Sequence, residues 1–524
     1  MPITPPLILT KILATLGPSS REPAVIQRLI EEGVRVVRIN FSHGSFDDYS
    51  GMLAAVREAS AAAGVPVGVL GDLSGPKIRV SHDIEGGRIE LAPGDHVEFT
   101  GRAVPCRRDP HSGVVTLSTT YPEMVGEVEP GDRVLVNDGA IRMLVTDVVR
   151  SDDSADDGRR PDDPRLICSV TVGGPVTPKK GVNLPDSEVS APSLTDYDEQ
   201  CARWAVEQGF DYLALSFVRR AADVDRLQTL LQELGRDGQS GGKAKLPVIA
   251  KIEKPQAIAE LDGILRSADG VMVARGDLGV EMDLAEVPVL QKRIIERAHD
   301  YGRPVIVATQ MLESMIESAT PTRAEVSDIA NAILDGADAT MLSGETAVGK
   351  HATAVVQTMA RTARKTEAFM NERSGRAPRP PKLAQESRYR TAALAHGVAT
   401  ICRDLEPRFI VMWSELGGGA GYMSQHRLQT PIIAVSSNHE ALRQMALLFG
   451  VWPVYMDRPP DRATFLAEVD KLLLGDKLGD VGDAVVVVKG DPLGIPGVTN
   501  VIRIHYLGDV CRVTWRPKDA GAEA

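Results

Sequence analysis

Eight short apolar runs, rich in valine and isoleucine and each followed by a stretch of helical periodicity, are the feature that most constrains the fold. They occupy residues 11–15, 35–39, 67–71, 212–215, 248–251, 271–274, 305–308 and 339–342. Runs of this kind are typical of parallel strands that are buried on both faces. Eight strand–helix units predict a (β/α)8 TIM barrel, in which catalytic groups gather at the carboxyl ends of the strands.

The spacing of these units is interrupted once, between the third and fourth runs. Residues 81–178 are dense in Gly, Pro and Asp and contain short valine-rich runs such as RVLVND, which predict an inserted β-barrel lid domain. Residues 1–80 and 179–370 then form the catalytic barrel. The charged stretch 151–164 is expected to be an exposed, mobile loop because it has almost no apolar side chains.

Two further segments follow the barrel. Residues 371–390 are rich in Arg and Pro, have no apolar period and are interpreted as a linker. In residues 391–524, the runs FIVMW, IIAVS, PVYM, AVVVVK and VIRIHYL alternate with helical stretches, which predicts an open α/β regulatory domain.

Composition excludes several classes of function. A net charge of -12 and a pI near 5.5 argue against nucleic-acid binding, and no apolar stretch is long enough to span a membrane. The first ten residues lack the pattern of a secretion signal, so a cytoplasmic location is expected. The five cysteines are far apart and form no CxxC pair, which argues against disulfides and zinc.

Charged and polar residues follow several of the predicted strands. The second run ends in RINFSH. Four of its residues are expected at the rim of the barrel: Arg38, Asn40, Ser42 and His43. The planar guanidinium of Arg38 suits a phosphoryl oxygen, whereas the alternative is a surface ion pair. The third run leads into Asp72, and in the fifth Lys251 and Glu253 share a face because strand side chains alternate.

The sixth run continues into VARGDLG and places Asp277 at a predicted helix start. Glu253 and Asp277 are a sparse pair of oxygen ligands that would suit Mg²⁺ or Mn²⁺ with waters and substrate. Backbone N–H groups of Arg275, Gly276 and Asp277 are expected to point into the site, although a simple glycine turn is the alternative. Hydroxyls of Thr309 and Ser343, after the last two strands, could relay a proton or merely cap helices.

Seven ordered motifs between residues 11 and 346 together resemble the pyruvate kinase family, and the resemblance covers nearly the whole chain: KILATLGPSS, RVVRINFSHG, KKGVNLP, IAKIEKPQAI, MVARGDLGVE, ATQMLESMI and PTRAEVSDIANAILDGADATMLSGET. The resemblance implies transfer of a phosphoryl group from phosphoenolpyruvate to ADP, giving pyruvate and ATP, by a homotetramer. It implies that Arg38 and Lys251 hold the phosphoryl group and that Glu253 and Asp277 hold Mg²⁺. It also implies that Thr309, beside Gly276, binds the carboxylic acid group of the substrate and helps to protonate the enolate. The residues it brings to the nucleotide are Thr15, Pro18, His43 and, from the hinge of the lid, Lys180.

The resemblance also bears on monovalent cations. Many family members read DTKGPEIR where this chain reads DLSGPKIR, and they require K⁺ held at positions that match Asn40, Ser42, Asp72 and the backbone carbonyl of Leu73. Here the glutamate position is Lys77, whose ammonium carries the same charge as K⁺, so no K⁺ requirement is expected. An exposed lysine without this role is the alternative.

The loop that binds phosphorylated effectors in the family corresponds here to SELGGGAGY, which keeps one aliphatic hydroxyl, on Ser414. Backbone N–H groups of residues 417–419 could cradle a phosphate, or the loop could be a turn without a ligand. Weak or absent activation by fructose 1,6-bisphosphate is therefore expected. Two other functions remain open: a lyase or aldolase acting on phosphoenolpyruvate or pyruvate, and a catalytically silent metabolite sensor.

Overall fold

The structure is a computed structural model that describes residues 7–150, 164–236, 245–373, 382, 389–495 and 497–508. The predicted loop 151–164 lies outside the described residues except for its last residue, as does most of the predicted linker 371–390. The four described cysteines are buried free thiols, and Cys511 lies outside the described part. No helix in the described ranges is both long enough and apolar enough to cross a membrane.

A closed barrel of eight parallel strands forms the centre of the molecule, and neighbouring strands follow one another in chain order. The first strand pairs with both the second and the eighth, which closes the barrel. The predicted (β/α)8 fold is confirmed, and every predicted barrel strand is found within one residue of its expected ends. The strands are Lys11–Thr15, Val34–Asn40, Gly68–Asp72, Tyr212–Leu215, Val248–Ile252, Gly270–Ala274, Val305–Ala308 and Ala339–Leu342.

Helices surround the barrel, and local sequence fixes several of their ends. Helix Arg323–Asp335, for example, begins with a capping box of Thr322 and Glu325 and ends at Gly336, whose φ of +107° suits glycine. The α-helices of this region are Pro23–Glu32, Phe46–Ala63, Asp196–Gln208, Ala221–Glu233, Pro255–Ala259, Leu261–Ser267, Arg275–Glu281, Val287–Asp300, Arg323–Asp335, Gly344–Ala347 and Ala352–Arg373, with a 3-10 turn at Glu313–Ile316.

The inserted segment forms a separate all-β layer with its own hydrophobic core. Its strands make a seven-stranded sheet and a two-stranded sheet. They are Ile89–Leu91, His96–Thr100, Arg107–Arg108, Val115–Ser118, Arg133–Val136, Ile141–Val149, Arg165–Val172, Gly174–Val176 and Val182–Asn183, with short helical turns at Glu85–Gly87 and Met124–Glu127. The last strand lies beyond residue 178, because Val182 and Asn183 pair with Val136 and Leu135 of the lid.

The C-terminal region is an open five-stranded sheet, four strands of which are parallel while the last is an antiparallel edge. The strands are Phe409–Trp413, Ile432–Ser436, Val451–Tyr455, Ala484–Lys489 and Val501–Tyr506, and the helices are Arg390–Leu405, Gly418–Ser424, His439–Met445 and Arg462–Gly475.

Buried ion pairs attach this sheet domain to the amino-terminal face of the barrel. Arg443 Nε lies 2.7 Å from Asp211 Oδ1, and Arg427 Nη1 lies 2.6 Å from Asp338 Oδ1. Both aspartates come directly before barrel strands, so these contacts lie at the ends where the strands begin. The carboxyl ends of the strands are thereby left facing the lid.

Candidate active site

Arg38 and Asp72 meet at the carboxyl ends of two adjacent barrel strands. The Nε and Nη2 atoms of Arg38 each lie 2.6 Å from Oδ2 of Asp72, and Nη1 donates to Thr15 Oγ1 at 3.2 Å. Burial alone would raise the pKa of Asp72, but the nearby cations Lys251 and Arg38 outweigh it and lower that pKa. A buried carboxylate therefore fixes the direction in which the guanidinium points.

Lys251 lies at the centre of the same cluster. Its Nζ atom is 2.8 Å from Glu253 Oε1 and 3.5 Å from Asp72 Oδ1, and it donates to Ser216 Oγ at 2.8 Å. Burial acts to lower the pKa of Lys251, but the two carboxylates outweigh it and raise that pKa. The lysine is consequently held as a cation in a nearly buried position.

Glu253 and Asp277 come from neighbouring strand ends. Glu253 is buried and its Oε2 accepts from the backbone N–H of Phe217 at 2.8 Å, while Asp277 lies in the first turn of helix Arg275–Glu281 and is open to the cleft. Surrounding protein and the Glu253 carboxylate raise the pKa of Asp277 to about 6.

This carboxylate pair has the chemistry of a divalent-cation site. Two acidic groups that disfavour each other's charge are stabilised by a shared metal ion, and carboxylate oxygens are ligands that Mg²⁺ prefers. The described residues contain no group of three or more such ligand side chains, so water or substrate would supply the other positions.

Thr309 lies after the seventh strand with a φ of +70°, a left-handed conformation that is uncommon for a β-branched residue. Its Oγ1 accepts from the N–H of Gly276 at 2.7 Å and donates to the carbonyl of Ala308 at 2.6 Å. The Gly276 N–H, which was expected to face a ligand, is thus bonded to Thr309 in this structure. A Cβ atom on residue 276 would lie 3.4 Å from that hydroxyl oxygen, which is an ordinary contact distance.

Ser343 follows the eighth strand. Its Oγ atom is buried and has no hydrogen-bond partner among the described residues, although its backbone N–H donates to Glu345 Oε2 at 2.6 Å. Buried hydroxyls are normally bonded. This one is therefore available to a water or a ligand.

A cavity of about 410 Å³ lies between the lid and the barrel. Lys77, Lys180 and Asp277 contribute to its walls, so the structure brings these three predicted residues to one space. His43 and Pro18 are exposed near the rim and do not line this cavity, and neither does Thr15, whose hydroxyl donates to the carbonyl of Leu342 at 2.9 Å.

The positions that correspond to the K⁺ site belong to two hydrogen-bonded groups. Lys77 Nζ donates to Ser42 Oγ at 2.9 Å, and the backbone N–H of Ser42 donates to Asn40 Oδ1 at 3.0 Å. The carbonyl of Leu73 accepts from Ser216 Oγ at 2.7 Å. Burial and the cations Lys251 and Arg79 lower the pKa of Lys77.

Two residues of this site were missed from the sequence. Ser216 links Lys251 to Leu73, and Phe217, with a φ of +55°, presents its N–H to Glu253. Both directly follow the fourth barrel strand. The general rule that functional groups collect after barrel strands could have drawn attention to them.

Comparisons with known proteins identify the family to which the chain belongs. Residues 8–356 match the family described as "Pyruvate kinase, barrel domain" and residues 392–505 match "Pyruvate kinase, alpha/beta domain". The chain is 40% identical over 504 residues to a pyruvate kinase of Corynebacterium efficiens, covering 96% of this chain and 99% of that one. It is 40% identical over 499 residues to a pyruvate kinase of Mycobacterium tuberculosis, covering 95% and 98%.

Among solved structures, a pyruvate kinase from Cryptosporidium parvum superimposes with a TM-score of 0.83 at 30% identity and covers 95% of this chain and 96% of its own. Both the barrel and the C-terminal sheet are included in these matches. The chain therefore belongs to the pyruvate kinase family of phosphotransferases.

Proposed function

We propose that this chain transfers the phosphoryl group of phosphoenolpyruvate to ADP and releases pyruvate and ATP. The observation that carries the proposal is the cluster of Arg38, Lys251 and Glu253 around buried Asp72, with Asp277 beside it. Phosphoryl transfer depends on positioning and on neutralising charge on the transferring group, which cations fixed by a buried carboxylate provide.

Arg38 and Lys251 are the proposed ligands of the phosphoryl group. Both are anchored on Asp72, so their positive ends are oriented before substrate arrives and little reorganisation is needed during reaction. The guanidinium can offer two donors to two phosphoryl oxygens, and the ammonium adds a compact charge.

Glu253 and Asp277 are the proposed ligands of Mg²⁺ or Mn²⁺. A divalent ion there would supply positive charge to oxygens of the substrate. The raised pKa of Asp277 supports this role, since burial and the Glu253 carboxylate disfavour its negative charge more than the nearby cations Lys251 and Lys77 stabilise it.

Thr309 and Gly276 are proposed to hold the carboxylate of the substrate, with the N–H of Gly276 exchanging its bond to Thr309 for one to the ligand. After transfer, the enolate must gain a proton on its methylene carbon. The hydroxyl of Ser343, which has no partner within the described part of the chain, and that of Thr309 are candidates to orient the water that carries this proton.

The nucleotide is proposed to enter the cavity between the lid and the barrel. Lys180 on its wall would meet the phosphates of ADP, and Thr15, Pro18 and His43 remain proposed nucleotide contacts on the barrel side. Closure of the lid would exclude water from the reacting group.

A coupled assay tests the function directly. Pyruvate formed from phosphoenolpyruvate and ADP in the presence of Mg²⁺ is reduced by lactate dehydrogenase, and loss of NADH absorbance is recorded. Turnover that requires ADP supports the proposal. Pyruvate release without ADP, or aldol cleavage products, would favour a lyase or aldolase, and inactivity with all of these would favour a metabolite sensor.

The remaining aspects of the proposal concern context. We propose a homotetramer in the cytoplasm, a catalytic barrel of residues 1–80 and 179–370, a lid of residues 81–178 and a regulatory domain of residues 391–524, with the strand Val182–Asn183 added to the lid because it pairs with the lid sheet. Analytical ultracentrifugation of the full chain tests the oligomeric state.

A further inference from the structure

We propose that Glu281 is a positioning residue that couples the lid to the helix that carries Gly276 and Asp277. The inference rests on the proposed function, because it concerns how the same phosphoryl-transfer site is assembled. Glu281 is the last residue of helix Arg275–Glu281, at the end opposite to these two site residues.

One carboxylate oxygen of Glu281 joins three elements of the molecule. Its Oε1 atom accepts from Lys254 Nζ at 2.6 Å and from Asn183 Nδ2 at 2.8 Å. Asn183 belongs to the last strand of the lid, whereas Lys254 directly follows the proposed metal ligand Glu253. The lid, the helix and the end of the fifth barrel strand therefore meet at a single atom.

The second oxygen of Glu281 indicates that this arrangement is more than packing. The side chain is only 1% exposed, and Oε2 has no hydrogen-bond partner among the described residues. A buried charged group with an unsatisfied oxygen is costly, and a well-packed apolar side chain is often more stabilising at such a place. A role in holding Lys254 and Asn183 in register explains why a carboxylate occupies this position.

The lid backbone also passes close to the neighbouring residue of the same helix. A Cβ atom on Gly139 of the lid would lie 3.6 Å from Val280 Cγ1. The turn around Gly139 is bonded to the segment that leads to Asn183, because the N–H of Asn137 donates to the carbonyl of Gly181 at 3.0 Å. The lid thus bonds to the last residue of the helix and its backbone passes close to the residue before it.

The helix is short enough to move as one hydrogen-bonded unit. Displacement of the lid strand would shift Glu281, and the same shift would reach Asp277 and Gly276 less than two turns away. Direct contacts then link the position of the lid to the positions of the proposed metal ligand Asp277 and the proposed substrate contact Gly276.

Asn183→Ala tests this link, since it removes the lid's donor and leaves the Lys254–Glu281 pair in place. Asp95→Ala is the matched control, because it breaks a 2.6 Å ion pair between Asp95 and Arg108 elsewhere in the lid. Mn²⁺ affinity is measured from the electron paramagnetic resonance of free Mn²⁺, and kcat and unfolding temperature are measured for the same samples.

We expect Asn183→Ala to weaken Mn²⁺ binding and to lower kcat by roughly 10-fold or more, as loss of an outer-shell contact commonly does, with little change in unfolding temperature. Glu281→Gln should give the same pattern, and the double variant should be no worse than Glu281→Gln alone. The Asp95→Ala control should match the unmodified chain.

Unchanged Mn²⁺ affinity and kcat in Asn183→Ala would overturn the proposal. So would activity losses in both variants that merely follow a lowered unfolding temperature, which would make Glu281 a stabilising residue only. Failure of the proposed function is distinguishable, because the unmodified chain would then form no pyruvate while the Mn²⁺ comparison still reports on Glu281.

Discussion

The ammonium group of Lys251 lies 2.8 Å from a carboxylate oxygen of Glu253, two residues further along the same strand. The proposed phosphoryl-binding cation and a proposed metal ligand are therefore in direct contact. Asp72 lies 3.5 Å from the same ammonium, so the lysine is held between two carboxylates. Substitutions at Lys251 and at the proposed metal ligands can therefore test whether the ammonium and the metal site have separate roles.

Lys251→Met should lower the rate of phosphoryl transfer by at least about 10³-fold, because a preorganised positive charge beside the transferring group is lost. Exchange of the methyl protons of pyruvate with solvent should remain measurable, since the ammonium is proposed to serve the phosphoryl group and not the enolate. Proton NMR of pyruvate in D₂O follows the exchange, and the coupled assay follows the transfer.

Lys245→Met is a suitable control for that experiment. Lys245 precedes the same strand and pairs with Asp269 at 2.7 Å at the opposite end of the barrel. The control should retain both activities. Loss of both activities in Lys251→Met, with a control that behaves normally, would contradict the separate role of the ammonium.

Glu253→Ala and Asp277→Ala should each impair phosphoryl transfer and proton exchange together. Each removes one of the two proposed metal ligands, and charge stabilisation by the metal would serve both steps. Binding of Mn²⁺, followed by electron paramagnetic resonance, should weaken in parallel. Asp262→Ala, which breaks a 2.6 Å pair with Arg297 outside the site, should leave all three measurements unchanged.

The barrel strands could be predicted because they are buried on both faces and therefore read as uninterrupted apolar runs. Val305–Ala308 and Ala339–Leu342 were located to the residue. Lys251 and Glu253 could be assigned to one face from alternation alone, and their contact follows from it.

The remaining geometry depends on contacts that no local pattern encodes. The pairing of Arg38 with Asp72 is set by the register of two strands, and Ser216 reaches Lys251 from a strand separated from it by a full helical unit. The left-handed backbone of Thr309 opposes the preference of a β-branched residue and is imposed by its surroundings. The hydrogen bond between Glu281 and Asn183 also cannot be read from a local pattern, because the two residues are 98 positions apart.

The C-terminal loop should respond weakly or not at all to fructose 1,6-bisphosphate. The loop follows a strand and opens helix Gly418–Ser424, as predicted, but Glu415 places a carboxylate within it. Trp413 Nε1 donates to this carboxylate at 3.0 Å and Ser437 Oγ donates to it at 2.7 Å. Donors that could meet a phosphate are already bonded to a negative group, which would also repel the ligand.

Glu415→Ala should therefore strengthen binding of a sugar bisphosphate by about tenfold or more, because one repelling charge is removed and two donors are released. Isothermal titration of the full chain measures the affinity, and the coupled assay measures activation. Glu406→Ala, outside the loop, is the control. Activation of the unmodified chain at micromolar concentrations would contradict the expectation.

Catalysis should not require K⁺, because Lys77 is proposed to supply the charge that the ion provides in other family members. Lys77 Nζ is 2.9 Å from Ser42 Oγ, and Ser42 in turn is bonded to Asn40, so the ammonium reaches the residues that correspond to the K⁺ site. Rates in buffer free of Na⁺ and K⁺, at matched ionic strength, should equal those with K⁺. Lys77→Glu should create a K⁺ requirement, since it exchanges the fixed ammonium for a carboxylate that can retain K⁺. Lys77→Met should lower the rate but should not create a K⁺ requirement, because methionine supplies no carboxylate. Strong stimulation of the unmodified chain by K⁺ would show that Lys77 is an exposed lysine without this role.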